Sequence, residues 1–282
     1  MHEDPPRRLA DELIRITGRD RWLLGVLDEH RTLTTEQITA LAFSSSHRAR
    51  KRLVLLYRRG LLDRWRYHVR PGSQSWRWTL GPLGAALVAQ TAGRPVPAPS
   101  AVRAGTDRLA SSPMIHHLLG CNEFFVQLAA YARSEPEVTL VRWWSERRAT
   151  AAIGGVARPD GHGIWSADGH RAPFWLEYDT GTESMRQLAD KLPGYLRLVD
   201  TPWNFPVLFR LPSPTRENTL HRVFSDRVPD GLIVATTIGS LSEGAAGAVW
   251  RIVDSGAAAD TRRRLIDLPT ARNTSFKPDQ VA

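Results

Sequence analysis

The chain of 282 residues is 42% apolar and 24% charged, the composition of a soluble globular protein with room for one large domain or two ordinary ones. No apolar run of about 18 residues occurs and no apolar stretch opens the N-terminus, which excludes a membrane span and a signal peptide and points to the cytoplasm. One cysteine, Cys121, excludes an internal disulfide and a cysteine-based zinc site, so any metal is expected on oxygen or histidine.

The net charge of +9 is uneven: residues 1–100 hold 17 Arg or Lys against 9 Asp or Glu, and the remaining 182 hold 21 against 20. Such asymmetry suggests that the first part meets a polyanion. Lys51, Lys191 and Lys277 are the only lysines. A GC-rich genome accounts for that preference for arginine, but not for its clustering.

Residues 1–18 read as a flexible tail and 19–92 as a first domain. "DRWLLGVLDEHR" carries Trp22, Leu23, Val26 and Leu27 at helical spacing. "LTTEQITALAF" follows, with Thr34 or Thr35 as N-cap and Ile38, Leu41 and Ala42 on one face. In "HRARKRLVLLYRRG" Leu53, Leu56 and Tyr57 face inward, and Gly60 stops the helix. Two alternating segments around Pro71-Gly72 then predict a β-hairpin, and "GPLGAALVAQ" a further helix. Helices followed by a hairpin make a winged helix-turn-helix.

From residue 44 to 77 ten basic residues stand against one acid, Asp63, the footprint of a phosphate-backbone binder. A recognition helix starting near Ser45 would turn Ser46, His47 and Arg50 toward bases, with Arg48, Lys51 and Arg52 beside them. Wing residues Arg64, Arg66 and Arg70 would grip phosphates of double-stranded DNA. The other reading is a winged helix used for protein contact, its arginines solvated.

"AGRPVPAPSAVRAGTDRLASS", Ala92 to Ser112, alternates prolines with small residues, so residues 93–112 are expected as a linker. The second domain is expected over 113–254 and a loose tail over 255–282, where "RLIDL" offers one short edge strand. "PMIHHLLGCNEFFVQLAAYARSE" reads as a helix with Leu118, Leu119, Phe125, Leu128 and Tyr131 available for a core. Next come "VTLVRWWSERR", "RPDGHGIW", "PFWLEYDT", a helix over about 183–199, the strand "FPVLFRL", a helix over about 215–225 and the strand "GLIVATT". That order predicts a mixed-sheet α/β domain.

The chemistry of this domain rests on its acids. Along a strand side chains alternate, so Trp175, Glu177 and Asp179 share one face and Phe174, Leu176 and Tyr178 the other. With Asp160 on the neighbouring strand, three carboxylates converge, the hard oxygen ligands that Mg²⁺ or Mn²⁺ takes. Such an ion would activate water and polarise a phosphate. The plainer alternatives are that Pro159-Asp160-Gly161 closes a turn and that Glu177 and Asp179 lie on a solvated strand face, against which the flanking Trp175 argues. Glu123 is a further acid of the site or an exposed helix glutamate. The adjacent His116 and His117 diverge by about 100° on a helix, too far apart to share an ion, and read as helix-end or interface residues. No Ser/His/Asp set, phosphate-cradling glycine loop or motor motif is present.

The element order, with "PD" on the second strand and "LEYD" on the third, resembles the PD-(D/E)xK nuclease-like superfamily over roughly residues 113–237. With the basic winged helix in front, the chain resembles the replication-relaxation family of actinobacterial plasmids and mobile elements. Its "PDG", "lExDrgte" and "K…Y" motifs stand here as Pro159-Asp160-Gly161, Leu176 to Glu183, and Lys191 with Tyr195. The resemblance implies a restriction-endonuclease-like fold and catalysis by Asp160, Glu177 and a lysine, with Asp160, Glu177 and Asp179 on the metal. The lysine expected two residues after Glu177 is replaced by Asp179, and Lys191 would have to reach back in its place. Two functions therefore stand open: a Mg-dependent DNA nickase of plasmid or mobile-element replication, or a non-catalytic DNA-binding replication or regulatory factor. In the second, the nuclease-like domain serves dimerisation or docks replication or transfer proteins.

Overall fold

The structure is a computed structural model that describes residues 14–68, 74–239, 244–253 and 261–269. The chain divides into two compact units, Met1–Val126 and Gln127–Ala282. Among the described residues no helix is long and apolar enough to cross a membrane.

The first unit begins with α1 (Gly18–His30), closed at its start by a capping box. The Asp20 carboxylate accepts from the Thr17 amide and hydroxyl, each at 2.7 Å. Leu23, Leu24 and Leu27 are buried, whereas Trp22 is 47% exposed. The expectation for Trp22 is corrected by phase: the buried positions 20, 23, 24, 27 and 30 form one stripe, and Trp22 falls outside it. β1 (Leu33–Thr34) leads into α2 (Thr35–Ala42), capped by Thr34. The third helix, α3 (Ser46–Arg58), is capped by Ser45 and buries Ala49, Leu53 and Leu56. Gly60, with φ of 75°, ends it in a Schellman turn in which the amides of Gly60 and Leu61 donate to Tyr57 and Leu56. Tyr57 lies outside the core stripe, 39% exposed.

β2 (Leu62–Trp65) and β3 (Arg77–Leu80) pair antiparallel, and β1 adds to the far side of β3, giving the order β1-β3-β2. α4 (Pro82–Thr91) packs so close to the chain after α3 that a Cβ on Gly84 would stand 2.1 Å from the Leu61 carbonyl oxygen. The segment expected as linker instead holds α5 (Pro99–Ala110). Pro99 occupies its first turn, where a missing N–H costs nothing. Leu109 is buried, and the Tyr67 hydroxyl donates to the Ala110 carbonyl.

α6 (Ile115–Ser134) starts in the first unit. Asn122 Nδ2 donates to the carbonyls of His30 (3.2 Å) and Thr32 (2.8 Å), and Gln37 Nε2 donates to Leu119 O and Glu123 Oε2, both at 3.0 Å. These bonds tie the helix to α1 and α2, so the compact unit extends past the boundary expected at 112.

The second unit is a seven-stranded mixed sheet in the order β10-β9-β8-β7-β6-β5-β4. Its elements are β4 (Thr139–Ser145), α7 (Glu146–Ala152), β5 (Gly161–Ala167), β6 (His170–Tyr178), α8 (Met185–Ala189) and α9 (Leu192–Leu196). They continue with β7 (Val207–Leu211), α10 (Pro214–Phe224), β8 (Val234–Ile238), β9 (Trp250–Ile252) and β10 (Arg262–Arg263). β6, β7 and β8 run parallel because helices carry the chain back between them, and the remaining pairs are antiparallel. The α/β mixed sheet is as expected. The single helix expected over 183–199 is broken into α8 and α9, since Pro193 cannot donate within a helix. The edge strand forms at Arg262–Arg263, while Leu265–Asp267, inside the expected "RLIDL" strand, makes a 3₁₀ turn.

Trp175, Val207, Phe209, Leu220, Phe224 and Val234 lie in one buried core. Beside it His162 is caged by Trp144, Trp175 and Phe205, with ring centroids 4.6–5.5 Å away. Its Nδ1 donates to the Phe174 carbonyl at 2.8 Å, and burial pushes its pKa down to about 3.

Asp20 also receives Arg52, whose Nε lies 2.9 Å from Oδ1. Burial opposes the Asp20 charge, but the hydrogen bonds from Arg52 and Thr17 outweigh it and hold the pKa below the ordinary 3.8. The stability this confers is complete above that ordinary value and is lost as pH falls through the folded-state value. Arg52→Met should cost about 3 kcal/mol at neutral pH by stranding the buried carboxylate. Asp20→Asn should flatten the acid limb of stability, and urea titrations at pH 7 and pH 3 check both.

Candidate nucleic-acid interface and acidic cluster

The burial of Ala49, Leu53 and Leu56 turns the opposite side of α3 to solvent, where Ser46, His47, Arg48, Arg50 and Lys51 are exposed. Arg52 leaves this set, because its guanidinium is held by Asp20. Arg77 is buried, stacked over Tyr67 at 4.5 Å and donating to Gln74 Oε1 at 2.6 Å. Arg64 and Arg66 gather on aromatic rings: the Arg64 guanidinium carbon is 4.0 Å from the Trp76 ring centroid and 4.6 Å from that of Tyr57, and Arg66 is 4.5 Å from Trp76. Arg70 lies outside the described residues.

In the second unit, β6 delivers Glu177 to the face covered by α8 and α9, where it is 1% exposed. The break at Pro193 leaves Lys191 at the start of α9 instead of inside a continuous helix, and its Nζ donates to Glu177 Oε2 at 2.7 Å. The Tyr195 hydroxyl donates to the other oxygen, and Glu183 Oε2 lies 3.2 Å from the same Nζ. Asp160 straddles this position: its amide donates to Leu176 O at 2.9 Å and its Oδ2 accepts from the Tyr178 amide at 2.8 Å.

Glu177 and Glu183 thus share one ammonium, with the Asp160 charge close by. Burial, with the Asp160 charge beside it, pushes Glu177 up to about 7 against the pull of Lys191 and Tyr195. Burial works against the Lys191 charge as well, but Glu177 and Asp160 outweigh it and hold its pKa above the ordinary lysine value. Burial and the Glu177 charge raise the Tyr195 hydroxyl well above its usual range.

Asp179 is engaged elsewhere. Arg216, in the first turn of α10, takes both of its oxygens, with Nη2 3.0 Å from Oδ1, and the Gly181 amide donates to Oδ1 at 2.8 Å. The structure therefore brings Asp160, Glu177 and Lys191 together and gives Asp179 to an arginine. Glu123 is occupied by Gln37 in the first unit. Sequence reasoning missed Arg216, which no spacing relates to Asp179. It also missed a second buried acid, Glu217, paired with Arg262 at 2.6 Å.

Because Glu177 is buried and already raised to about 7, removing its cation leaves the carboxyl either charged without a partner or forced to take up a proton. Lys191→Met should lower stability by about 3 kcal/mol. The double variant Lys191→Met with Glu177→Gln should recover part of the loss, a non-additivity that chemical denaturation of the two singles and the double measures directly.

The sequence profile of one protein family, described as Replication-relaxation, matches residues 24–207. No curated protein and no solved structure matches the chain. The matched span runs from α1 into β7 and takes in the exposed basic face of α3 together with Asp160, Glu177, Lys191 and Tyr195. Covering well over half of the residues, it establishes that the chain belongs to the replication-relaxation family.

Proposed function

We propose that this protein is a duplex-DNA-binding factor of plasmid or mobile-element replication or relaxation, with α1–α3 and the β2–β3 hairpin acting as a winged helix. The observation that carries the reading is the exposed run of His47, Arg48, Arg50 and Lys51 on α3. A charged helix face opposite a fully buried one is the surface a major groove accepts, and its cations release counterions from the phosphate backbone. Arg50→Glu with Lys51→Glu should weaken binding of a labelled duplex at least about tenfold and shallow its salt dependence by about 0.9 for each lost phosphate contact. Fluorescence anisotropy over a salt series measures both, and unchanged affinity refutes the reading.

A second reading, DNA nicking, is favoured by one observation: Lys191, displaced from the usual motif position, lies 2.7 Å from Glu177 in the field of Asp160. The donor chemistry suits Mg²⁺ or Mn²⁺, since Asp160 and Glu177 supply hard oxygens whose mutual repulsion a dication relieves. Those two residues would hold the ion, which when bound supplies water activation and phosphate polarisation. Asp179 is no part of this set while Arg216 holds it. Lys191 and the Tyr195 hydroxyl keep Glu177 oriented, and Lys191 adds positive charge where a phosphate would sit. With Mn²⁺ and supercoiled DNA, nicking that vanishes in both Asp160→Asn and Glu177→Gln supports the enzyme. Intact supercoils under conditions of saturated DNA binding leave the non-catalytic factor, with the second unit serving self-association or docking of replication proteins.

A further inference from the structure

We propose that Arg64 is the phosphate clamp of the DNA-binding unit, its guanidinium plane set by the rings of Tyr57 and Trp76. The inference rests on the DNA-binding reading and adds to it a division of labour among the cations. Three segments build the clamp: Tyr57 comes from the last turn of α3, Arg64 from β2, and Trp76 from the residue before β3. Arg64 lies 4.0 Å from the Trp76 centroid, 4.6 Å from Tyr57 and 5.3 Å from the buried Trp78. Its neighbours in sequence and space are used differently. Arg52 is paired with Asp20 and Arg94 with Asp28, while Arg77 is buried with its Nη2 donating to Gln74. The Arg64 guanidinium, among the described residues, faces aromatic carbon, and Asp63 is turned to the Arg64 backbone amide at 2.8 Å.

A ring covers the face of a guanidinium and leaves the N–H donors in its plane available. Stacking therefore fixes the direction of a two-pronged donor without using it up, which lowers the entropy lost when a phosphate oxygen pair is gripped. Trp76 also attracts Arg66, at 4.5 Å, so two like charges are drawn to one indole. Lysine cannot substitute in this arrangement, for it has the charge but no plane to stack. Tyr57 and Trp76 are accordingly positioning residues that act through Arg64.

The test is anisotropy of a labelled random-sequence duplex with the full chain. Arg64→Lys, which keeps the charge, should weaken binding about tenfold and leave the salt slope nearly unchanged, because the stacking and the fork are lost together. Arg64→Ala should weaken it further and shallow the salt slope by about 0.9. Trp76→Leu should weaken binding in the wild-type background, have little further effect on Arg64→Lys, and be largely rescued by Trp76→Phe. Wild-type affinity in Arg64→Lys overturns the clamp, as does a Trp76→Leu effect of equal size in both backgrounds. If circular dichroism shows Trp76→Leu unfolded, Arg64→Lys and Trp76→Phe carry the decision. Loss of binding in the α3 variant with Arg64→Lys unaffected sinks the clamp alone, whereas an α3 variant with full affinity sinks the DNA-binding reading beneath it.

Discussion

A carboxylate withdrawn from water has to take a cation with it, and in the second unit this requirement joins segments far apart in the chain. Glu177 on β6 holds Lys191 at the start of α9, Asp179 after β6 holds Arg216 on α10, and Glu217 on α10 holds Arg262 on β10. Each of these acids has a side chain no more than 2% exposed. An intact pair of this kind adds little over well-packed apolar residues, while stranding one partner costs about 3–5 kcal/mol. The pairs therefore penalise wrong placements of α9, α10 and β10 more than they reward the right one. Thr236 on β8 donates to Glu217 at 2.7 Å and bonds His221 at 2.8 Å, so the sheet itself enters the same network.

The constraint also sorts the chemistry. Asp179 is neutralised by its own guanidinium and is removed from any shared site, whereas Glu177 shares the Lys191 ammonium with Glu183 and stands in the field of Asp160. That crowding of carboxylates distinguishes this corner of the sheet from the one-to-one pairs around it. In the first unit the same rule subtracts from the basic surface: Asp20 claims Arg52, and the basic residues left exposed on α3 are His47, Arg48, Arg50, Lys51 and Arg58. Charge counted along a sequence overstates charge offered to a partner, and the structure states which arginines are spent.

Much of this was legible beforehand. Thr34 and Ser45 announce their helices because a short polar side chain before an apolar period has an amide to cap. Alternation around Glu177 placed that residue and Trp175 on one face, and the order of strands and helices implied a mixed sheet. What escaped has physical reasons. α5 was hidden because prolines that suggest an extended chain also suit the first turn of a helix. Helical spacing alone puts Trp22 and Tyr57 on the inward face, although Leu24 and Ala49 complete the stripes that pack. Pro193 interrupts the single helix expected there, and its effect, aiming Lys191 at a glutamate 14 residues earlier, depends on how α8 and α9 lie on β6. Arg52, Arg64 and Arg77 are equivalent as letters and diverge only through partners supplied by tertiary structure.

The pairing of Glu217 with Arg262 sets an order of events as well as a geometry. The two residues are 45 positions apart, and Arg262 belongs to the outermost strand. A ribosome adding roughly 5–20 residues per second delivers α10 and β8 seconds before the cation that Glu217 needs. Until β10 emerges, α10 closed over the sheet would leave Glu217 the Thr236 hydroxyl and no guanidinium, so the closed arrangement gains its ion pair only with the arrival of β10.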